Sequence, residues 1–161
     1  MSRLVVAAAL WVGLVSGAAA DCAGFKWPVD GERRVFAGEA TSLAAGVDVA
    51  AAPTLAPGRL FSLALAHQED VRLAVAPSKP MLPDDAEAGV VRVAIPAPGR
   101  WRVALDTGAW IDMVRDGAAV PSRDFSGSEG CDGPRKIVEY ELAAAGEYFL
   151  QLSGATHATV R

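Results

Sequence analysis

The strongest constraint on this chain is a set of short runs in which apolar and polar residues alternate, each cut off by Gly or Pro. In "RLFSLALA", Phe61, Leu63 and Leu65 share a face, and in "VRLAV", Val71, Leu73 and Val75 lie opposite Arg72. "VVRVAI" groups Val91, Val93 and Ile95 with Arg92 outside, and "RWRVAL" groups Trp101, Val103 and Leu105 with Arg100 and Arg102 outside. "AWIDMV", "KIVEYEL", "EYFLQL" and "HATV" complete the series, with joints at "AAPTLAPG", "APSKPMLPDD" and "IPAPG". A period of two marks half-buried strands, not helices of period 3.6. Short strands bounded by Gly and Pro predict an all-β fold, here an antiparallel, jelly-roll-like β-sandwich. His67-Gln68-Glu69-Asp70 reads as a polar hairpin turn between the first two runs, and Asp116-Gly117 as the turn after "AWIDMV". One short N-terminal helix fits the remainder: Asp30 can cap it, Glu32 sits in its first turn, and Val35 and Phe36 face inward, although Gly31 weakens it.

One phrase recurs: "APGRLFSLAL", "APGRWRVAL" and "AAGEYFLQL", with turn glycines at Gly58, Gly99 and Gly146. Three unequal copies cannot close a propeller. The first copy is also out of phase, because its inward residues fall at odd offsets from Gly58, whereas Trp101 and Tyr148 fall at even ones. The phrase is therefore a way of delivering a strand from a Gly turn, used three times, and not a repeat.

The start of the chain reads as a secretory leader: Arg3, an uncharged apolar run from Leu4 to Val15, and an A-x-A site at Ala18–Ala20 before Asp21. The run is too short for a membrane anchor, which needs about 20 apolar residues. Lipidation at Cys22 is excluded because Asp21, not a small residue, precedes it. This predicts a signal peptide over 1–20 and a single mature domain over 21–161, with no membrane span after cleavage. The absence of Asn and the excess of Arg over Lys match the codon bias of a GC-rich bacterial genome, so the destination is the periplasm or beyond. There, Cys22 and Cys131 are expected to form a disulfide that pins the mature N-terminus. A net charge of −4 with no basic run gives nucleic acid no electrostatic footprint and anionic lipid little to attract.

The segment "GRWRVALDTGAWIDMVRDGAAVPS" followed by "KIVEYELAAAGEYFLQLSG" resembles the pre-peptidase C-terminal domain of secreted bacterial proteases over about Gly99 to Gly154. The resemblance implies a jelly-roll-like body and carries no catalytic residue. The mature start "CAGFKWPV", with "AWIDMV" and the later "GC", is similar to a group of small exported proteins of alphaproteobacteria, some of which bear a homogentisate dioxygenase label.

That label requires two His and a carboxylate converging on iron. The only histidines are His67, in the hairpin turn, and His157, in the last strand, and both read as surface residues. "FSGSEG" lacks the first Gly of a nucleophile elbow and reads as a loop leading to Cys131. No Gly-rich phosphate loop is present. Asp112, Asp116, Asp124 and Asp132 could offer oxygen ligands to calcium, but their spacing fits no EF-hand and suits turns. No metal or cofactor is expected. Asp112 stands out because it interrupts an apolar strand on the face shared with Trp110 and Val114. A buried carboxylate needs partners. Arg102, Arg115, Arg135 or Lys136 could supply an ion pair, or Trp110, Asp112, Arg102 and Arg135 could line a binding groove with the indole as a flat wall for a sugar or peptide. Glu139 and Glu141 read as an exposed strand face. The function expected is a non-catalytic binding or accessory module for a carbohydrate, a peptide or an envelope protein. A metal-dependent enzyme and a structural component of an envelope complex are the alternatives.

Overall fold

Twelve strands, one α-helix and one short 3₁₀ helix (Gln68–Asp70, in place of the expected hairpin turn) make up the described part of the computed structural model, residues 22–79, 83 and 85–161. The leader and its cleavage site lie outside the described residues. In chain order the elements are α1 (Asp30–Phe36), β1 (Thr41–Ala44), β2 (Thr54–Leu55), β3 (Phe61–Ala64), β4 (Ala66–His67), β5 (Glu87–Ile95) and β6 (Gly99–Leu105). They continue with β7 (Trp110–Arg115), β8 (Ala118–Val120), β9 (Ser122–Gly127), β10 (Lys136–Leu142), β11 (Gly146–Ala155) and β12 (Thr159–Val160). The fold is an all-β sandwich. One layer is the six-stranded sheet β2-β5-β11-β7-β8, with β4 also paired to β5; the other sheets are β6-β10-β9 and β1-β3-β12. Pairing is mostly antiparallel, but β1–β3 and β2–β5 are parallel.

The alternation read from sequence decides which side chains meet between the layers. Val91 and Ile95 of β5, Leu105 of β6, Ile111 and Met113 of β7, and Tyr140 and Leu142 of β10 join one buried cluster. Tyr148, Leu150 and Leu152 of β11 join them, and Leu63 and Val160 close the side from the β1-β3-β12 sheet. Each such side chain contributes roughly 1.5–3 kcal/mol on leaving water. Gly58, Gly99 and Gly146 all have positive φ, at 78°, 134° and 131°, a region that disfavours any residue with a Cβ. β6 and β11 start at the second and third of these glycines, and β3 starts three residues after the first. Asp116 and Gly117, at φ 51° and 74°, form the two-residue turn of the β7–β8 hairpin, in which Arg115 faces Ala118.

Four local expectations are corrected. Val71–Val75 forms no strand. This segment crosses the outer face of the six-stranded sheet, where Gln151 serves it in place of a neighbouring strand: its Oε1 accepts from Val75 N and its Nε2 donates to Val75 O. Asp30 does not cap α1; Val29 is the N-cap without a side-chain bond, and Asp30 with Glu32 instead places negative charge in the first turn. Glu139 is buried, because the N-terminal segment folds over its sheet and Arg102 and Arg123 hold its carboxylate at 3.0 and 3.3 Å. Glu141 is exposed as expected. Asp112 is buried, and among the described residues it has no charged partner within ion-pair range, as described below. Four strands match no quoted run: β1 is mostly exposed, β2 lies inside a Pro-rich joint, β8 is the return arm of the Asp116-Gly117 turn, and β9 takes in Phe125–Gly127 of "FSGSEG", read from sequence as loop, by pairing with β10.

The disulfide Cys22–Cys131 joins residues 109 apart in sequence. Beneath it, Phe25 and Val29 pack on Ile137 with Trp27 and Ala104, forming a second, smaller core on the outer face of β10 and β6. Arg102 fastens this flap. Its Nη1 reaches Glu32 at 3.1 Å, its Nε reaches Glu139 at 3.0 Å, and its guanidinium stacks over Trp27 at 4.7 Å. Burial pulls its pKa down, but the hydrogen bonds to Glu139 and Glu32 outweigh that and leave it above its ordinary value. Among the described residues no helix is long and apolar enough to cross a membrane.

Candidate functional site

The four residues proposed to line a groove divide among three places. Trp110 and Asp112 lie together on β7, facing outward from the core. Arg102 is in the flap fastening on the other layer. Arg135 reaches Glu129 at 2.9 Å in the loop before β10. The cation beside Trp110 is Lys136, 5.3 Å from the ring centroid, with Lys79 at 5.7 Å.

Asp112 is held by neutral donors. Ser78 N approaches one oxygen at 3.3 Å, Gln151 Nε2 the same oxygen at 3.3 Å, and Trp110 Nε1 the other at 3.1 Å. The Ser78 hydroxyl also bonds to Asp112. The register places Gln151 directly across from Asp112, so the two side chains form one polar strip under the crossing segment. Burial lowers the Lys136 pKa, the Lys79 charge adds to this, and the Asp112 charge opposes it. Lys136 also donates to Ala109 O at 2.6 Å. The strip is thus already filled by the chain itself, with Ser78 and Val75 in the place a ligand would take.

The histidines do not converge with other ligands. His67 Nδ1 lies 3.5 Å from Glu87, and His157 Nδ1 is within hydrogen-bond distance of Thr107 and Thr156. Neither belongs to a group of three metal-ligating side chains among the described residues. The aspartates are likewise dispersed: Asp116 pairs with Arg115, Asp124 with Lys26 and Asp132 with Arg33. Cys22, Cys131 and Asp132 do lie close together, but the sulfurs are joined in the disulfide and offer no thiolate.

A different feature was not anticipated from sequence. A cleft of about 500 Å³ opens at one side of the sandwich and runs between its layers. Its walls are core residues: Leu55, Phe61, Val93, Ile95, Trp101 and Leu150. α1 crosses the mouth with Glu32, Val35 and Phe36, and Ala56-Pro57-Gly58-Arg59 forms the opposite lip. The lip explains the opening. Between Leu55 and Leu60, both buried, the chain supplies no large apolar side chain to close the end of the sandwich. A Cβ added at Gly31 or Gly58 would meet nothing within 4 Å. The signal present in the sequence was this run of small residues at the start of the one copy of the recurring phrase that is out of phase. The volume falls within the range typical of small-molecule pockets, about 300–1,000 Å³, which are concave and mostly apolar. No family model, curated protein or solved structure matches this chain.

Proposed function

We propose that the chain is a binding module without catalytic activity, exported to the bacterial periplasm, whose ligand is a small, largely apolar molecule held in the cleft between the sheets. The observation that carries this reading is the cleft itself: an opening that leads from solvent to the core side chains of both layers. Filling such a space removes apolar wall from water, at roughly 25 cal/mol per Å². The leader-like start and the disulfide support export, since such bridges persist in oxidising compartments. An accessory role beside an enzyme or in an envelope complex is part of the same proposal, supported by the resemblance of Gly99–Gly154 to appended protease domains.

The test uses an uncharged fluorescent probe, N-phenyl-1-naphthylamine. The oxidised protein is expected to enhance its emission saturably. Ala56→Trp, at an exposed lip position, is expected to abolish the enhancement without changing the melting temperature. No enhancement by the wild type, or full enhancement by Ala56→Trp, contradicts the reading.

A further inference from the structure

The charges around the cleft single out one cation. Four ionisable side chains line it: Glu32, Arg59, Arg102 and Arg161. Glu32 and Arg102 pair with each other at 3.1 Å, and Arg161 pairs with Asp106 at 2.7 Å. Arg59 sits at the lip and pairs with no carboxylate among the described residues. A shallower recess continues outward from the mouth, sharing Val35, Gly58, Arg59 and Leu60 with the cleft and adding Arg34 and Glu39. Among the described residues Arg34 donates only to the Asp30 carbonyl, at 3.1 Å. The recess therefore holds two guanidinium groups and one carboxylate, a surplus of a single positive charge.

The interior makes the opposite demand. The indole of Trp101 is already spent on the Ala97 carbonyl at 3.1 Å, and the deep walls are otherwise aliphatic or phenyl. A hydroxyl-rich molecule such as a sugar would lose its water there without replacement bonds. The occupant must have an apolar part with no polar groups and a head that meets Arg59.

We propose that this occupant is a monomeric fatty carboxylate, with its aliphatic tail between the sheets and its carboxylate on the Arg59 guanidinium, Arg34 facing it across the recess. A monoanion matches the surplus of one charge, whereas a dianionic phosphate ester would be under-neutralised and would face Glu39. The planar guanidinium fork suits a carboxylate in bidentate geometry. The proposal rests on the cleft being a ligand site and adds the chemical class of the ligand.

The experiment is displacement of N-phenyl-1-naphthylamine from the oxidised protein by dodecanoate, dodecanol, dodecyl phosphate and dodecyltrimethylammonium, each below its micelle threshold. Dodecanoate is expected to displace the probe about tenfold more tightly than dodecanol, the size of one charge-assisted hydrogen-bonded contact. Arg59→Gln is expected to remove that preference while leaving dodecanol unchanged. Arg59→Glu is expected to make dodecyltrimethylammonium the better competitor. Arg59 is exposed, so both variants are expected to melt like the wild type. Equal displacement by dodecanoate and dodecanol overturns the head-group assignment, as does an unchanged preference in Arg59→Gln. Tighter displacement by dodecyl phosphate than by dodecanoate overturns the carboxylate in particular. Failure of the probe to bind the wild type overturns the cleft reading, and this proposal with it.

Discussion

Asp112 shows how a residue can be conspicuous in sequence for a structural reason. Its carboxyl group satisfies Ser78, Trp110 and Gln151, and through them holds the crossing segment against the sheet. Asp112→Ala would take the acceptor from Ser78 N and the Ser78 hydroxyl, while Trp110 Nε1 keeps Ser78 Oγ and Gln151 Nε2 keeps Val75 O, at about 1–3 kcal/mol for each buried group left unpaired that water cannot reach. Asp124 is half-exposed and pairs with an exposed Lys26 on the surface, where such pairs contribute about 0–1 kcal/mol. Chemical denaturation is expected to show Asp112→Ala as clearly the more damaging of the two, with a midpoint shift several times larger. Equal shifts would place Asp112 outside the strip. The sequence showed that this carboxylate needed partners, but it pointed to arginine and lysine. The actual partners come from Ser78, 34 residues away along the chain, and from a glutamine across the register. Neither separation nor register can be read from one strand. Glu139 failed for a related reason: alternation identifies which face a residue occupies, and says nothing of a helix and flap arriving to cover that face.

At the scale of elements, the strands with large alternating apolar side chains were legible, and those without them, such as the mostly exposed β1 and β9, were not. β5, β6, β7, β10 and β11 each match a quoted run, because their inward residues must be apolar to join the common core. "VRLAV" has the same alternation yet forms no strand, since Val75 bonds to the Gln151 side-chain amide while Val71 N and Arg72 N donate to the Gln68 and Val47 carbonyls, outside any strand. The cleft escaped notice because sequence patterns record side chains that fill space, and the lip is built from residues that do not. α1 offers a direct check on local propensity. Gly31 is in its first turn, has open space where a Cβ would go, and has no positive φ. Gly31→Ala is expected to stabilise the protein by about 0.5–1 kcal/mol, measured as a rise in denaturation midpoint. A loss of stability would mean that the glycine answers a constraint of the cleft mouth.

Across the whole molecule, the disulfide and the surface carboxylates set the response to solvent conditions. Cys22→Ser is expected to cost about 2–5 kcal/mol, lower the melting temperature and expose one titratable thiol at Cys131. Two reactive thiols in the wild-type protein would contradict the bridge. Asp48, Asp124 and Asp132 are held below the ordinary carboxylate value of 3.8, by the Ala51 N–H, the Lys26 ammonium and the Arg33 guanidinium respectively. A folded-state pKa below the unfolded one stabilises the protein above that value and is lost as pH falls through the folded one. The melting temperature is therefore expected to be insensitive to these groups between pH 7 and 5 and to fall below about pH 4. A rise in stability on acidification through that range would reverse the sign. Added salt is expected to weaken the Lys26 and Arg33 contributions and spare that of Asp48, whose leading partner is a backbone amide. The apolar opening between the layers is a space that the packing of the described residues leaves unfilled, and it gives the molecule its proposed use.

The indole N–H resonances of Trp101 and Trp110 in a proton–nitrogen correlation spectrum, recorded while dodecanoate is added, test this most directly. Trp101 lines the cleft, whereas Trp110 lies on β7 over the filled polar strip. Binding between the sheets requires the Trp101 resonance to move saturably while that of Trp110 stays fixed. Movement of Trp110 with Trp101 unmoved would contradict the account.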